Sequence, residues 1–531
     1  MPFGSQGIDD HLTSTADADS VAGRKTVYLT QSIIRRAQLA PDAPFSIFAD
    51  RVFSNAATLH RVQCLAGGLQ GLGMAHDSNV AVLEVNTDTY LQVALAIAWG
   101  DGVIVPVNTR WSVQEIAYSL EEAEVRVLLV GDRFLPLVEQ IKAAAPTITT
   151  VVHLGEGQTP AGMVPLAELL TADPVPDAER RGDQLMGIFY TGGTTGFPKG
   201  VMLSHRGTFL APLGSSIATE ASLGGVGLVI SPLFHMGGFG QWIGLLQADG
   251  ATVPMPDFDP VVFMELVQRH RITGTALAPV MIQMVVDHPE RDQYDLSSLE
   301  TVTYGMAPIS MGLLDRARKA LPAAQFVQAY GMTELSPTAT VLSDEDHDHP
   351  VRRASAGRAL SFNQVKVVGP DDVELPRGEV GEIVCKGENV MLGYWKKPEE
   401  TAVALRGGWM HTGDGGYMDE DGYVYVVDRI KDMIITGGEN VYSVEVENVV
   451  SKHPAVLQCA VIGVPDEKWG ERVHAVVELV AGQSLTFEEL RAFCKETIAG
   501  YKSPLSMEIV DLWPVSATGK ILKRELRGQR R

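Results

Sequence analysis

The chain reads Tyr-Thr-Gly-Gly-Thr-Thr-Gly-Phe-Pro-Lys-Gly from residue 190 to residue 200, so four glycines, three threonines and one lysine fall within eleven positions. Glycines let backbone N–H groups approach an anion, hydroxyls donate further hydrogen bonds, and the lysine supplies a point charge. The stretch is not a Walker A loop, because no Gly-Lys-Ser/Thr follows at that spacing and residues 201–205 have the pattern of a strand. An ordinary flexible loop is the alternative. The composition favours a turn that binds polyphosphate.

The length and charge of the chain limit its architecture and its partners. At 531 residues, 45% of them apolar, it exceeds one ordinary core and predicts at least two domains. A net charge of −22 and an isoelectric point near 5.0 oppose nonspecific binding to nucleic acid or to an anionic membrane surface. A polyanionic substrate must therefore be held by a local cluster of donors.

The cysteines and the apolar runs indicate a reduced protein without a membrane span. The four cysteines share no C-x-x-C spacing, which argues against a zinc site or a disulfide framework and favours a cytoplasmic protein. The polar amino-terminal residues predict an unstructured leader over 1–25 rather than a secretion signal. The longest apolar stretch, 90–100, is shorter than the roughly 20 residues that span a bilayer.

The order of the periodic segments predicts an α/β fold. Residues 26–430 alternate helical periods with short runs rich in valine and isoleucine, which indicates an α/β body with mostly buried sheets. Strands are predicted at 80–83, 127–130 and 227–230, and helices at 31–40 and 262–270. Residues 371–428 become rich in glycine and short strands, so we expect a β subdomain there.

The pattern changes again after residue 430. A helix at 443–452 and strands at 456–464 and 473–479 precede a second helix, which Thr486 and Glu489 open as a capping box. These elements predict a small α+β domain over 431–531, within the usual size range of domains.

Five further motifs follow the glycine-rich turn in order. They are Tyr330-Gly331-Met332-Thr333-Glu334, Gly393-Tyr394-Trp395, Gly408-Trp409-Met410-His411-Thr412-Gly413-Asp414, Asp428-Arg429-Ile430-Lys431-Asp432 and Pro514-Val515-Ser516-Ala517-Thr518-Gly519-Lys520. Together with the turn, they resemble the adenylate-forming superfamily of acyl-CoA synthetases, luciferases and peptide-synthetase adenylation domains. Many relatives have serine where this chain has Gly192, and we expect only a small change in phosphate contacts there.

The resemblance implies ATP, Mg²⁺ and CoA as the molecules bound, and a small carboxyl-terminal domain that moves. It assigns the nucleotide to Thr191, Gly192, Gly193, Thr194, Thr195, Gly196, Lys199, Gly305, Met306, Ala307, Pro308, Tyr330, Gly331, Thr333, Asp414 and Arg429. In this assignment Tyr330 stacks on adenine, Thr333 contacts the AMP phosphate, and Asp414 and Arg429 hold the ribose. The bland alternatives are an Asx-turn at Asp414 and a strand-end ion pair for Arg429.

The same resemblance gives catalytic and conformational roles to five more positions. Lys520 corresponds to the lysine that bridges the substrate carboxylate and the α-phosphate, although a solvated lysine is the alternative. Glu334 corresponds to the Mg²⁺ carboxylate, and the alternative is a residue of a helix start. Lys431 aligns with the hinge between the domains, and Gly437 and Gly438 would line the pantetheine tunnel. A β-turn at these glycines is compatible with that role.

The pocket for the acid is predicted from three segments that the resemblance brings together: 233–238, 304–308 and 328–337. Apart from Glu334 they contain no acid, lysine or arginine, so an apolar acid is favoured. His235 resembles a residue that gates the carboxylate, and a packed neutral histidine is the alternative. Fatty, aryl and arylpropenoic acids all remain open.

The chemistry of an acid and a thiol then indicates the reaction. A carboxylate is a poor electrophile, so it must first become an acyl-adenylate by attacking the α-phosphorus of ATP, which calls for positioned cations and donors. We expect an acyl-CoA synthetase for a medium or long fatty acid or an aryl acid, and a homodimer is one of the assemblies left open. Luciferase-like oxygenation and carrier-protein loading are the alternatives, and residues 521–531 leave no room for a fused carrier. A silent nucleotide- or acyl-binding protein is disfavoured by Lys199, Glu334, Asp414 and Lys520.

Overall fold

The computed structural model describes residues 27–191, 198–219, 224–429, 432–436, 439–466, 468–515, 521–528 and 530. The predicted leader at 1–25 lies outside them. None of the helices in these ranges is long and apolar enough to cross a membrane.

Two large sheets dominate the described residues. The first has nine strands in the order β16 (Arg358–Ala359), β15 (Thr340–Leu342), β14 (Gln325–Tyr330), β13 (Thr301–Gly305), β12 (Gly274–Leu277), β10 (Val226–Val229), β11 (Ala251–Pro254), β1 (Pro44–Phe48) and β2 (Arg51–Ser54). The second has eight, in the order β19 (Gly393–Tyr394), β9 (Lys199–Ser204), β8 (Leu185–Thr191), β4 (Val103–Pro106), β3 (Asn79–Leu83), β5 (Val127–Val130), β6 (Thr150–His153) and β7 (Val164–Pro165). In the first sheet β14 through β1 run parallel, and in the second β8 through β7 do so.

Two smaller sheets follow along the chain. An antiparallel sheet has the order β17 (Asn363–Val368), β18 (Gly381–Gly387), β20 (Met410–Met418) and β21 (Val424–Arg429). The predicted β subdomain at 371–428 falls within its span. The last sheet has the order β23 (Glu439–Val441), β22 (Ile434–Thr436), β25 (Gly470–Leu479) and β24 (Val456–Asp466), and β26 (Ser506–Ile509) pairs with β25.

Along the chain, most of the α-helices connect successive strands of these sheets. In chain order they are α1 (Gln31–Leu39), α2 (Asn55–Gly71), α3 (Asp88–Trp99), α4 (Val113–Glu122), α5 (Val138–Ala144), α6 (Leu166–Leu169), α7 (His205–Ala218), α8 (Met236–Gln247), α9 (Pro260–His270), α10 (Pro279–Val286), α11 (Met311–Ala320), α12 (Pro398–Ala404), α13 (Ser443–Val450), α14 (Phe487–Lys495) and α15 (Lys523–Gly528). The predicted strands are confirmed as β3, β5 and β10, and the predicted helices as α1 and α9. The capping box of Thr486 and Glu489 is confirmed at the start of α14.

The helix α8 packs the two large sheets together, and this packing matters for the site. Phe239 of α8 makes an edge contact with Phe189 of β8 at 5.2 Å between ring centroids, and with Trp242 at 5.1 Å. All three rings are buried in one hydrophobic cluster that draws residues from both sheets. Because rings packed edge to face resist displacement, the start of α8 has a fixed position between the sheets.

Candidate active site

The predicted phosphate-binding turn connects two antiparallel strands of the second sheet. β8 ends at Thr191 and β9 begins at Lys199, and these two residues lie opposite each other in the register. Gly192, Gly193, Thr194, Thr195 and Gly196 lie outside the described residues. The strand predicted after the turn is confirmed as β9. A ligand of the turn must therefore lie at this end of β8 and β9.

Lys199 lies between a carboxylate and an aromatic ring. Its Nζ forms an ion pair with Glu400 and lies 5.4 Å from the centroid of the Tyr394 ring. The Tyr394 hydroxyl donates a hydrogen bond to Glu334 Oε1 at 2.9 Å. The lysine after the turn and the predicted metal carboxylate are thus joined through one tyrosine.

Tyr394 is a site residue that was not predicted from the sequence. Its motif, Gly393-Tyr394-Trp395, was recognised only as a marker of the family resemblance. The signal that could have found it is the phenol itself, because a tyrosine within an apolar strand needs a hydrogen-bond partner. Pairing of β19 with β9 brings that phenol beside Lys199.

Glu334 is a buried carboxylate, 6% exposed, in a 3₁₀ turn over Thr333–Leu335. Burial raises its pKa, and the hydrogen bond from Tyr394 together with the charges of Arg429 and Lys199 opposes that rise. Thr333 beside it is also buried. The structure therefore brings two of the predicted cationic residues close enough to act on the predicted metal carboxylate.

Asp414 is held from two sides by residues that the sequence analysis placed around the nucleotide. Its Oδ2 accepts a hydrogen bond from the Tyr330 hydroxyl at 2.8 Å, and its Oδ1 lies 2.5 Å from Arg429 Nε. Asp414 and Arg429 are register partners across β20 and β21. Burial and the charge of Asp414 raise the pKa of Tyr330 well above its usual range, so the phenol stays protonated as a donor.

The predicted adenine-binding segments follow two adjacent parallel strands at the same edge of the first sheet. β13 ends at Gly305, β14 ends at Tyr330, and Gly305 pairs with Ala329. A Cβ on Gly305 would lie 2.4 Å from the Ala329 carbonyl oxygen, and one on Gly331 would lie 2.1 Å from that of Pro337. Met306 takes a positive φ of 66°. Carboxyl ends of parallel strands are where open α/β sheets bind ligands.

The segments predicted to hold the acid meet at the start of α8. Ser231 Oγ lies 3.8 Å from Met306 Sδ, and a Cβ on Gly237 would lie 3.2 Å from that sulfur. A Cβ on Gly240 would lie 3.0 Å from Pro337 Cδ. Residues from all three predicted segments thus converge, and the glycines allow the segments to approach each other closely.

His235 caps the amino end of α8. Its Nδ1 accepts a hydrogen bond from the Gly237 backbone N–H at 3.0 Å, which requires that nitrogen to be unprotonated. Burial lowers the pKa of His235 to about 4. The imidazole is therefore neutral at physiological pH, and its position beside the acid segments is fixed by the helix start.

Asn86, which follows β3 of the second sheet, holds the loop 229–233 before His235 and was not predicted from the sequence. Its Nδ2 donates to the carbonyls of Val229, Ile230 and Ser231 at 3.2, 3.2 and 3.0 Å, and its Oδ1 accepts from Leu233 N at 2.9 Å. Asn86 is 2% exposed. A polar residue just after the buried strand β3 was the available signal. One side chain therefore fixes the backbone that leads to His235.

The region around the predicted hinge is partly described. Lys431, Gly437, Gly438 and Lys520 lie outside the described residues. On the flanks, Asp428 Oδ2 accepts a hydrogen bond from Ser443 N at 2.6 Å. Arg527 of α15 donates to Asp432 Oδ1 at 2.6 Å and to the Asp432 carbonyl at 3.1 Å.

Two groups of side chains therefore face the edge where β8, β13 and β14 end. One is charged and hydrogen-bonded, and it can hold phosphate, ribose and a hard cation. The other is small, apolar and neutral, and it can hold the body of an uncharged group. Such a pair of surfaces can bind a nucleotide and an apolar acid side by side.

Comparison with known proteins identifies the family to which the chain belongs. Residues 33–395 match the family model described as AMP-binding enzyme, and 445–520 match the AMP-binding enzyme C-terminal domain. A feruloyl-CoA synthase of Amycolatopsis is 38% identical over 500 residues, covering 93% of this chain and 97% of that protein. A fatty acid–[acyl-carrier-protein] ligase, ScoC of Streptomyces coeruleorubidus, is 35% identical, covering 94% and 96%.

A solved structure extends the likeness to the fold. The amide bond synthetase McbA from Marinactinospora thermotolerans superimposes with a TM-score of 0.85 at 29% identity, covering 94% of this chain and 99% of that one. The chain belongs to the AMP-binding enzyme family, the adenylate-forming superfamily that contains the acyl-CoA synthetases.

Proposed function

We propose that the chain is an acyl-CoA synthetase that activates an apolar monocarboxylic acid with ATP and transfers the acyl group to CoA. The observation that carries this proposal is the pair of buried carboxylates, Asp414 and Glu334. Asp414 accepts a hydrogen bond from Tyr330 at the end of β14, and Glu334 lies four positions later, within the 3₁₀ turn Thr333–Leu335. Each carboxylate has a cation near it, Arg429 or Lys199, so the site suits a ligand that carries both hydroxyl donors and phosphates.

The reaction runs in two steps whose atoms balance. A carboxylate oxygen attacks the α-phosphorus of ATP, forming the acyl–phosphate bond and releasing pyrophosphate. The CoA thiolate sulfur then attacks the acyl carbon and AMP leaves. In the first step the protein must offset negative charge that gathers on the α-phosphoryl group, a task that suits Lys520 and the hydroxyl of Thr333.

Glu334 fits the requirements of a Mg²⁺ ligand. Mg²⁺ prefers hard oxygen ligands and usually takes one or two carboxylates plus phosphate oxygens and water. Glu334 offers a buried carboxylate of which one oxygen accepts from Tyr394, and no cluster of three His, Cys, Asp or Glu side chains occurs among the described residues. Bound there, Mg²⁺ would neutralise charge on the phosphates. Glu334 would hold it, and Tyr394 would orient the carboxylate.

The acid is proposed to be a medium or long fatty acid or an aryl acid. The three segments that meet at the start of α8, 233–238, 304–308 and 328–337, contain no lysine or arginine, and the His235 imidazole among them is neutral. An ammonium or a second carboxylate on the acid would find no partner there. The similar feruloyl-CoA synthase and fatty-acid ligase are named for an aryl and an aliphatic acid, and both classes are therefore retained.

The remaining parts of the proposal concern the arrangement of the chain. We assign a leader to 1–25, an ATP- and acid-binding domain to 26–430 with its β subdomain at 371–428, and a lid domain to 431–531. Lys431 is the hinge, and Gly437 and Gly438 line the path of pantetheine. We place the enzyme in the cytoplasm as a homodimer, which light scattering of the purified protein would check.

The test is a panel of acids from C2 to C18, with benzoate and cinnamate types and with amino acids and dicarboxylates as negative controls, assayed for CoA-dependent AMP release. We expect release with apolar acids and none with amino acids or dicarboxylates. Lys520→Ala should reduce acid-dependent pyrophosphate formation about a hundredfold, or about 3 kcal/mol, while sparing thioester formation from supplied acyl-adenylate. Equal loss of both half-reactions would contradict the role proposed for Lys520. AMP release at the same rate with and without CoA would contradict CoA as the acyl acceptor.

A second acceptor has support from the comparisons. ScoC is named as a ligase for an acyl-carrier protein, and McbA as an amide bond synthetase. If this chain uses a carrier protein, phosphopantetheinylated carrier should replace CoA with a higher kcat/KM. Luciferase-like oxygenation is the remaining alternative, and light emission with a suitable acid would reveal it.

A further inference from the structure

A cavity of about 380 Å³ opens on the body at a distance from the site described above. Its apolar wall comes from Phe53, Leu154, Pro165, Leu166 and Leu170, and its polar wall from Arg51, Arg61, Thr89, Glu156 and Thr159. Small-molecule sites are typically about 300–1,000 Å³, apolar for the most part, with a few convergent polar groups. The cavity has the size and the lining of such a site.

The position of the cavity separates it from the nucleotide. It lies between β2, the edge strand of the first sheet, and β7, the edge strand of the second. β2 is five strands from β13, and β7 is five strands from β8. At about 4.8 Å per strand, each path is about 24 Å long. A molecule in this cavity cannot reach the ends of β8 and β13.

Arg61 is the group in this cavity that calls for an anion. Its guanidinium lies 4.7 Å from the centroid of the Phe53 ring, and its Nε donates to Gln92 Oε1 at 2.7 Å. Among the described residues, the hydrogen-bond partner of Arg61 is thus a neutral amide rather than a carboxylate. Burial lowers the pKa of Arg61, the charge of Asp88 opposes this shift in part, and the charge of Arg51 adds to it, so the charge of Arg61 still carries a desolvation cost. Its planar fork suits a carboxylate that would offset this cost.

Arg51 already pairs with two carboxylates at this cavity, one of them at its exposed rim. Two of its nitrogens bind Asp88, at 3.0 and 2.7 Å, and its Nη1 forms an ion pair with Glu156. The Glu156 side chain is 79% exposed, and glycines 155 and 157 flank it. An exposed ion pair contributes little stability, so another anion can displace Glu156 at small cost. Glu156 thus occupies a position that a ligand's carboxylate would take.

We propose that this cavity is a second ligand site that binds a small monocarboxylate with an apolar body, its carboxylate between Arg61 and Arg51 and its body against Leu154, Pro165 and Leu170. The ligand resembles in its chemistry the acids assigned to the active site. The proposal does not depend on the proposed function.

Calorimetry with octanoate tests the site once the active site is closed. The protein is first saturated with octanoyl-sulfamoyl-adenosine, and octanoate and inorganic phosphate are then titrated separately. We expect one further equivalent of octanoate and at least tenfold weaker binding of phosphate, which lacks the apolar body. No octanoate binding, or equally tight phosphate binding, would overturn the proposal. Failure of the adenosine analogue to bind would instead count against the proposed function.

Two variants should change the affinity for octanoate in opposite directions. Arg61→Met keeps the stem over Phe53 and removes the charge, so octanoate affinity should fall at least tenfold. Glu156→Gln removes the competing carboxylate, so affinity should rise about threefold. Arg316→Met, which removes an exposed arginine paired with Asp287, is the matched control and should change nothing.

A cavity-filling variant keeps the proposal testable if Arg61→Met misfolds. Leu170→Trp should abolish octanoate binding even if Arg61→Met fails to fold, and the acid-dependent ATP–pyrophosphate exchange of Leu170→Trp at low acid concentration should match the parent. Retention of octanoate binding in Leu170→Trp, or a loss in Glu156→Gln, would contradict the site.

Discussion

The proposed nucleotide side and the proposed acid side of the active site are built in different ways. On the nucleotide side, Asp414 and Glu334 are buried carboxylates whose oxygens already have donors or cations. On the acid side, the start of α8 is shaped by glycines and by a neutral histidine. The nucleotide side should therefore respond to a change of charge at constant volume. The acid side should respond to a change of volume at constant charge.

The largest expected effect comes from Glu334→Gln, which keeps the shape and removes the charge. Acid-dependent ATP–pyrophosphate exchange should fall about 100- to 1,000-fold, because a positioned electrostatic group is worth roughly 3–4 kcal/mol in such a site. Tyr394→Phe keeps the carboxylate and removes one hydrogen bond, so its loss should stay below about tenfold.

Glu345→Gln provides the control for this charge change. Glu345 is exposed in a 3₁₀ turn eleven positions later, and its exchange rate should equal that of the parent. If Glu334→Gln retained more than a tenth of the exchange activity, the charge of Glu334 would contribute little. The proposal that the nucleotide side depends on charge would then be contradicted.

Asn86→Ala should give the next largest effect, through the acid alone. The change removes two N–H donors, shared among three carbonyls, and one acceptor from the loop before His235, so kcat/KM for the acid should fall about 10- to 30-fold, given that each bond contributes roughly 0.5–1.5 kcal/mol and water replaces part of the loss. KM for ATP should stay within twofold, because Asn86 is a positioning residue for the acid side.

Asn79→Ala is a matched control for Asn86→Ala. Asn79 opens β3 as Asn86 follows it, and its Nδ2 also donates to a backbone carbonyl, that of Ala123, at 2.7 Å. The control should lower thermal stability without changing either KM. A parallel rise of both KM values in Asn86→Ala would mean general loosening of the fold.

Gly237→Ala should have a smaller effect that depends on the acid. Its Cβ would lie 3.2 Å from His235 Nδ1 and from Met306 Sδ, so the methyl group narrows the space without touching backbone. One methyl group in a pocket changes specificity by about 1–3 kcal/mol, so kcat/KM for the bulkiest acid should fall about tenfold while the shortest acid loses little. Gly244→Ala, whose Cβ would meet Pro212 Cβ at 3.6 Å, is the control.

The smallest expected effect is the absence of a titration on the acid side. The pKa of His235 is lowered to about 4, so its imidazole is already neutral at pH 6 and gains a proton only as the pH falls through about 4. KM for the acid should therefore be flat between about pH 6 and pH 8. A change in this KM with a midpoint near 6.5 that disappears in His235→Gln would show that His235 ionises there.

Much of the fold follows from local pattern. The valine-rich runs became β3, β5 and β10, and the capping pair Thr486 and Glu489 begins α14, because these elements are determined by neighbours along the chain. Adjacent parallel strands also place Gly305 and Tyr330 at one edge, which the motifs alone did not show.

The partners of the site residues could not be read from the chain. Tyr394 reaches Glu334 across 60 positions, and Asn86 reaches Ser231 across 145. Those contacts depend on how β19 pairs with β9 and on how the two large sheets pack. A single sequence carries no record of such pairing, because one polar residue at a strand end has many candidate partners of equal chemistry.

The last helix limits how the two ends of the predicted hinge can separate. Arg429 is tied to Asp414 in the body, and Asp432 is tied to Arg527 in α15. Three peptide steps join these anchors, a reach of about 10 Å at most. A connection that short permits rotation about the end of β21 but little translation. The residues on either side of the predicted hinge should therefore move by rotating relative to each other rather than by separating.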